Sequence, residues 1–409
     1  MILRRGSRCH LHEGLHTVNR NATRARAGLT GVVRALSPGT ASPSPSVASV
    51  PGPLPVSGGL LSGIAVGPSS VWVVGSAGQK PLAARWDGTS WTVVPDPSDS
   101  SLASAALLGA RLRAVACVPG SSRFGPDTAT SSGPGPPEAE SASVQVSAKT
   151  TESGRPFGAG VISDGGTVIA VGGAYDRLEH VDIALIRHWN GSAWTSWDAP
   201  DLLRGLVLNA VAPAGPGRAW AVGNAGPHGP RAFHWDGTSW KPSDIPDIPH
   251  GRLVAATAVA PDDVWAVGAV DRDGLVLHFD GRTWTRVPSP AKGPLTGVSA
   301  AAPDDVWAVG HHGVLHWNGR RWSRVKTPLT SANTVTAIAS DDVWIAGGDG
   351  EAARFDGRRW TVPPGAEPAV WLASAAAPDR TVWLAGTRSG EAASDTSAST
   401  AVTAQPKDA

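Results

Sequence analysis

"APDDVWAVGHHGVLHWNGRRWSRVKTP" (Ala302–Pro328) follows a near copy of itself, "APDDVWAVGAVDRDGLVLHFDGRTWTRVPSP" (Ala260–Pro290). Within the first stretch and the residues before it, four short segments carry strand character. They are Leu295–Ala301, Asp305–Gly310, Gly313–Trp317 and Arg321–Val325. The Pro-Asp-Asp turn starts the second. Asn318-Gly319 between the third and fourth predicts a two-residue type I′ hairpin turn. That turn would set Trp317 opposite Arg320, His316 opposite Arg321 and Leu315 opposite Trp322. Side chains alternate faces along a strand, so Leu315, Trp317 and Trp322 share one face. The second strand, "VWAV", is apolar throughout and reads as covered on both faces.

The same unit recurs along the chain. "VWxVG" or a close variant begins at Val71, Val168, Ala219, Val264, Val306, Val343 and Val382. A second landmark, aromatic-Asp/Asn-Gly-x-x-Trp, follows at Trp86, Trp189, Trp235, Phe279, Trp317 and Phe355. Its closing Trp recurs at 194, 240, 284, 322 and 360, at intervals of 46, 44, 38 and 38 residues. Four strands in about 40 residues, repeated, predict an all-β protein: a β-propeller of four-stranded antiparallel blades. Seven or eight blades are expected. The eighth depends on whether Leu102–Ala116, with Ser141–Thr150, is an eroded blade of its own. The last unit, Val370–Gly386, holds only two strands, so an N-terminal segment should complete it, either His10–Val18 or Gly28–Val33.

The flanks differ in composition. Residues 1–59 are basic and Pro/Ser-rich and read as a disordered segment and linker. Residues 60–388 are the propeller, with a disordered insertion near 119–140, and 389–409 read as a disordered tail. Lys and Arg number 35 against 34 Asp and Glu, so no global charge favours nucleic acid. No run reaches the length of a membrane span. Arg4-Arg5 lacks the apolar stretch of an export signal close behind it. An extracellular or cell-surface location is expected, with the cytoplasm left open.

The unit "LxxVSAxxPDDVWAVGxxGxLHWNGxxWxxV" resembles the tryptophan-rich β-propeller repeat proteins of actinobacteria. It is similar also to tectonin-type propeller lectins, which share the V-W-x-V step and a G-x-x-W near the unit's end. The resemblance spans about residues 60–386 and implies the propeller fold and an exported, lectin-like binding protein. Propellers host unrelated activities, so it does not imply a ligand.

The residues themselves favour binding over catalysis. The single tyrosine, Tyr175, cannot supply the two tyrosine ligands of a propeller copper site. Cys9 and Cys117 form no zinc pattern. No cofactor and no metal are expected. Tyr175 with Glu179 and Arg177 is the one sialidase-like set, and a glycosidase-like hydrolase or lyase is the alternative function. The residue before each aromatic-Asp/Asn-Gly landmark is Arg85, His188, His234, His278, His316 or Arg354. One such group per blade is too dispersed for a metal and reads as a structural position, facing the next blade.

The repeated turns belong to one rim of the propeller, and the dissimilar strand 2–3 loops to the other. Loops on a rigid scaffold carry recognition. The expected function is therefore a non-catalytic binding module, a monomer that takes a glycan or protein ligand. Its expected ligand-binding residues are Tyr175, Asp176 and Arg177, then Asp271, Arg272 and Asp273, then His311 and His312.

Overall fold

The computed structural model describes residues 30–37, 46–49, 59–67, 70–77, 80–95, 107–118, 167–176, 179–197, 199–348, 350–364 and 369–388. The chain is all-β, a propeller of four-stranded antiparallel blades. Six blades are contiguous in the chain, where seven or eight blades were expected. They are blade I (59–93), II (107–196), III (207–243), IV (251–286), V (295–325) and VI (334–361). A further four-stranded sheet joins the two ends of the described chain. There Ala369–Ala376 and Val382–Arg388 are extended by Thr30–Ser37 and Ser46–Ser49. The innermost strand of each sheet lies against that of the next, and this last sheet lies against blade I.

Two sequence expectations are resolved by strand pairing. Leu107–Val118 pairs with Thr167–Asp176 as the innermost strand of blade II, so the described part of Leu102–Ala116, from Leu107 on, belongs to that blade and not to a separate one. The chain between strands one and two of blade II is long, and this made one blade look like two. Of the two closing segments considered, Gly28–Val33 overlaps the strand Thr30–Ser37, whose Leu36 pairs with Val382. His10–Val18, Ser141–Thr150, the insertion at 119–140 and the tail at 389–409 lie outside the described residues.

Blade V shows how the repeat builds its sheet. Its strands run Leu295–Ala302, Asp305–Gly310, Gly313–Trp317 and Trp322–Val325. Every residue of the second strand is buried. One face of the blade (Val306, Ala308, Leu315, Trp322) packs on blade IV. The other (Trp307, Val309, Val314) packs on blade VI. The hairpin loop differs from the expected two-residue turn. Trp317 pairs directly with Trp322, so four residues, 318–321, form the loop. Only Gly319, at φ 81°, takes a positive φ there, whereas a type I′ turn needs two such residues. The Asn318 side-chain oxygen accepts the N–H groups of Arg320 and Arg321, which widens the turn. The shared face survives the change of register, since directly paired residues point the same way.

The tryptophans form the seams between blades. The second-strand Trp of one blade meets the aromatic pair on the outer hairpin of the next. Trp265 lies 5.1 Å from Trp317 and 5.5 Å from Trp322, the latter edge to face. Trp72 meets Trp189 and Trp194 at 5.0 and 5.2 Å. Trp220 meets Phe279 and Trp284, and Trp307 meets Phe355 and Trp360. Such pairs add about 0.5–1.5 kcal/mol to the burial of large apolar rings.

The glycine that closes "VWAVG" has a packing cause. The innermost strand bulges opposite it, between Leu295 and Gly297 in blade V and Leu253 and Ala255 in blade IV. A Cβ at Gly310 would collide with the Pro294 carbonyl oxygen, and one at Gly268 with that of Arg252. In the outer hairpin, a Cβ at Gly319 would lie 2.8 Å from the Asp304 Cβ.

Two substitutions test this construction. Trp322 is 5% exposed, so Trp322→Ala should cost about 3–5 kcal/mol in denaturant unfolding, as expected for a buried aromatic. A loss under 1 kcal/mol would remove the seam from its structural role. Gly319→Val should lower stability through about 1–3 kcal/mol of backbone strain, with the Asp304 clash added. An unchanged Tm would contradict the loop geometry.

Candidate functional site

The strand 1–2 turns and strand 3–4 loops form one rim, and the strand 2–3 turns form the other. On the first rim, six equivalent loops share one bonding pattern. The side-chain oxygens of Asp87, Asn190, Asp236, Asp280, Asn318 and Asp356 each accept backbone N–H groups two and three residues on. The backbone N–H of each of these residues in turn donates to the carbonyl three residues on. Donors aimed at a carboxylate favour its charged form. Asp87 is held down at about 2 by the N–H of Ser90, then by the Thr89 hydroxyl and N–H. Asp280 and Asp356 are lowered first by the N–H groups of Thr283 and Arg359. Asp236 is lowered most by Lys241, 2.6 Å away.

Behind these loops lies a second repeated set. In five of the six blades, the residue before the aromatic-Asp/Asn-Gly landmark pairs across strands with the second-strand Trp of its own blade. His278 stacks on Trp265 at 4.2 Å, and His316 lies on Trp307 at 4.4 Å. Arg85 and Arg354 lie over Trp72 and Trp344. These groups therefore face a ring of their own sheet as well as the next blade. The second Asp of the Asp-Asp turn completes the set. Asp263 accepts from His278 and Asp305 from His316, both at 2.8 Å, and Asp342 from the Arg354 Nε at 2.8 Å. The Trp307 and Trp344 indole N–H groups also donate to Asp305 and Asp342. The sequence pattern showed each member, but not that the Asp and the His or Arg touch.

On the other rim, the expected ligand-binding residues fall at three separate strand 2–3 connections. Tyr175 and Asp176 end the second strand of blade II. Tyr175 is exposed, its hydroxyl 3.4 Å from the His180 Nδ1, and Asp176 accepts the Glu179 N–H. Arg177 lies outside the described residues. Glu179, of the sialidase-like set, is ion-paired with Arg204 at 2.9 Å. Asp271 and Arg272 form the two-residue turn of blade IV, with Asp271 at φ 52°, and Asp273 opens the next strand; all three are exposed. His311 and His312 form the exposed turn of blade V. The sequence reading missed Lys292 and Arg324 beside them. Lys292 lies on a blade-to-blade connection, which shares this rim, and Arg324 on an outer strand; candidates were read from the strand 2–3 loops alone.

No family model and no curated protein matches the chain. Among solved structures it is similar to U3-55K, at 10% identity and a TM-score of 0.50, over 80% of this chain and 95% of that one. It is similar also to YCF48 from Cyanidioschyzon merolae, at 14% identity and a TM-score of 0.48, over 81% of this chain and 96% of that one. A third is the fucose-specific lectin from Aleuria aurantia, at 11% identity and a TM-score of 0.41, over 74% of this chain and 95% of that one. The likeness to U3-55K is one of fold alone. No helix among the described residues is long and apolar enough to cross a membrane.

One blade breaks the repeated set. In blade II the second-strand Trp is replaced by Ile169, which pairs with His188. His188 instead enters the seam with blade III, 4.6 Å from the Trp235 ring, and its Nε2 accepts the Trp240 indole N–H at 3.0 Å. Burial pushes His188 down to about 4. The unfolded chain therefore binds a proton that the folded chain resists, and the stabilisation present above pH ~6.5 is lost as pH falls towards 4. The loop carboxylates, also depressed, add a second loss below about pH 4. Tm should therefore be level near neutrality and fall from pH 6.5 to 4, and His188→Gln should flatten that interval. An unchanged profile in the variant would assign the titration to another group.

Proposed function

We propose that the chain is a non-catalytic binding module, a propeller that recognises a carbohydrate or protein ligand through the strand 2–3 rim. Tyr175, Asp176 and Arg177, Asp271, Arg272 and Asp273, and His311 and His312 are the contact residues in this reading. One observation supports it most: the two rims use their polar groups differently. On the uniform rim, the six loop oxygens hold their own backbone, and Asp263, Asp305 and Asp342 hold a His or Arg of the same blade. These groups stabilise turns and seams. On the other rim, Asp271, Arg272, Asp273, His311 and His312 are exposed on short turns anchored by buried strands. Groups fixed by a rigid scaffold and open to solvent bind at a low ordering cost.

A paired exchange tests the reading on glycan and peptide arrays. The first variant carries Asp271→Asn, Arg272→Ala and Asp273→Ala, with Asn chosen because it tolerates the positive φ at 271. It should lose binding with the melting curve preserved. The second carries Asp304→Ala and Asp305→Ala. It leaves His316 and the Trp307 N–H unpaired, should cost about 2–4 kcal/mol of stability, and should keep its affinity. A folded second variant that no longer binds, beside a first variant that does, would put the site on the uniform rim.

A further inference from the structure

We infer that the strand 2–3 rim at the junction of blades IV and V binds the carboxylates of an acidic peptide, an assignment that rests on the binding-module reading. A shallow recess there is lined by Lys292, Gly293, His312, Gly313 and Arg324, and no carboxylate lines it. Three side chains that carry or can carry positive charge thus converge on one concavity. They come from three places in the chain: the connection between blades, the turn of blade V and its outermost strand.

The recess is built, not merely decorated with charge. The Arg324 Nη1 donates to the His312 carbonyl at 2.9 Å, and Nη2 donates to the Pro290 carbonyl at 3.0 Å. A guanidinium has five N–H donors, so three remain after these two bonds. The two carbonyls fix its plane but leave its charge uncompensated. Most other cations with a described partner on this chain face a carboxylate: Arg354 and Arg380 face Asp342, Arg359 faces Asp356, Lys241 faces Asp236 and Arg204 faces Glu179. Among the described residues, Arg324 and Lys292 form no ion pair. The His312 ring lies against the backbone of Gly293, where a Cβ would collide with its Cδ2. Gly293 therefore lets the imidazole settle at the edge of the recess. A pinned guanidinium, an ammonium and an imidazole around a glycine floor suit a carboxylate, which accepts charge-assisted bonds from planar forks and point charges.

The occupant is argued from the aromatic rings. Sugar recognition commonly uses an open ring face against which the pyranose stacks, yet among the described Trp, Phe and Tyr residues Tyr175 on blade II alone is exposed. The recess itself has no aromatic other than His312. It is also small. These features fit a carboxylate-bearing peptide laid across two blades better than a glycan.

The test uses the full chain and a synthetic twelve-residue peptide of alternating Glu and Gly, beside its Gln counterpart, in calorimetric titration. The Glu peptide should bind and the Gln peptide should not, and raised salt should weaken binding. Arg324→Gln and Lys292→Gln should each weaken it about tenfold, the loss of one charge-assisted contact. Arg359→Gln, on the opposite rim, should change nothing. The Lys292 side chain is exposed, so its variant keeps the fold even if Arg324→Gln loosens the His312 turn. Equal binding of both peptides, wild-type affinity in Lys292→Gln and Arg324→Gln, or binding of a polyglucuronate but not the Glu peptide would overturn the inference. If the Glu peptide fails while another ligand is lost in the variant at 271–273, only the acidic-peptide assignment falls. A ligand held by the uniform rim overturns the binding-module reading itself.

Discussion

The contact on which the rest depends is one indole set against two others across a blade boundary. A four-stranded sheet of small aliphatic residues has two apolar faces and cannot hide both alone. Trp265 against Trp317 and Trp322, or Trp72 against Trp189 and Trp194, gives each sheet a neighbour of matching shape. Alanine, valine and glycine then suffice for the innermost strands, where the sheets converge and space is least. The tryptophans are this protein's mortar, which is why 18 of them accompany one tyrosine and five phenylalanines.

The seam also explains the chemistry of the uniform rim. A buried indole N–H and an imidazole beside it are stabilised by an acceptor. Asp305 supplies one for both Trp307 and His316, and Asp342 does the same for Trp344 and Arg354. Where the Trp is missing, at Ile169, the histidine turns to the indole of the next blade instead. The conspicuous run of Asp, His and Arg on this side is therefore the polar lining of an aromatic joint. The other rim lacks that duty, and its side chains vary in kind from blade to blade.

Much of this was legible in the residues. Strand positions, the shared face of Trp317 and Trp322 and the division into two rims follow from period-two alternation and turn residues, which act over a few positions. The loop length was misread because Asn-Gly signals a tight turn, while the Asn318 side chain reaches two amides further on and holds a wider one. The pairing of Leu107–Val118 with Thr167–Asp176 and of Thr30–Ser37 with Val382–Arg388 was not legible in detail. Strand pairing across a long separation is decided by which edge is left open, and no local pattern records that.

By itself the sequence determined that the chain repeats a four-stranded unit, where the strands of that repeated unit lie and which side carries the variable loops. These follow from hydrogen bonds and side-chain alternation between near neighbours. The tertiary structure alone decided which residues meet. It joined Asp305 to His316, sent His188 into the seam with blade III, and gathered Lys292, His312 and Arg324 around one recess. Those contacts depend on the angle and distance between whole sheets, which the packing of the tryptophan seams sets.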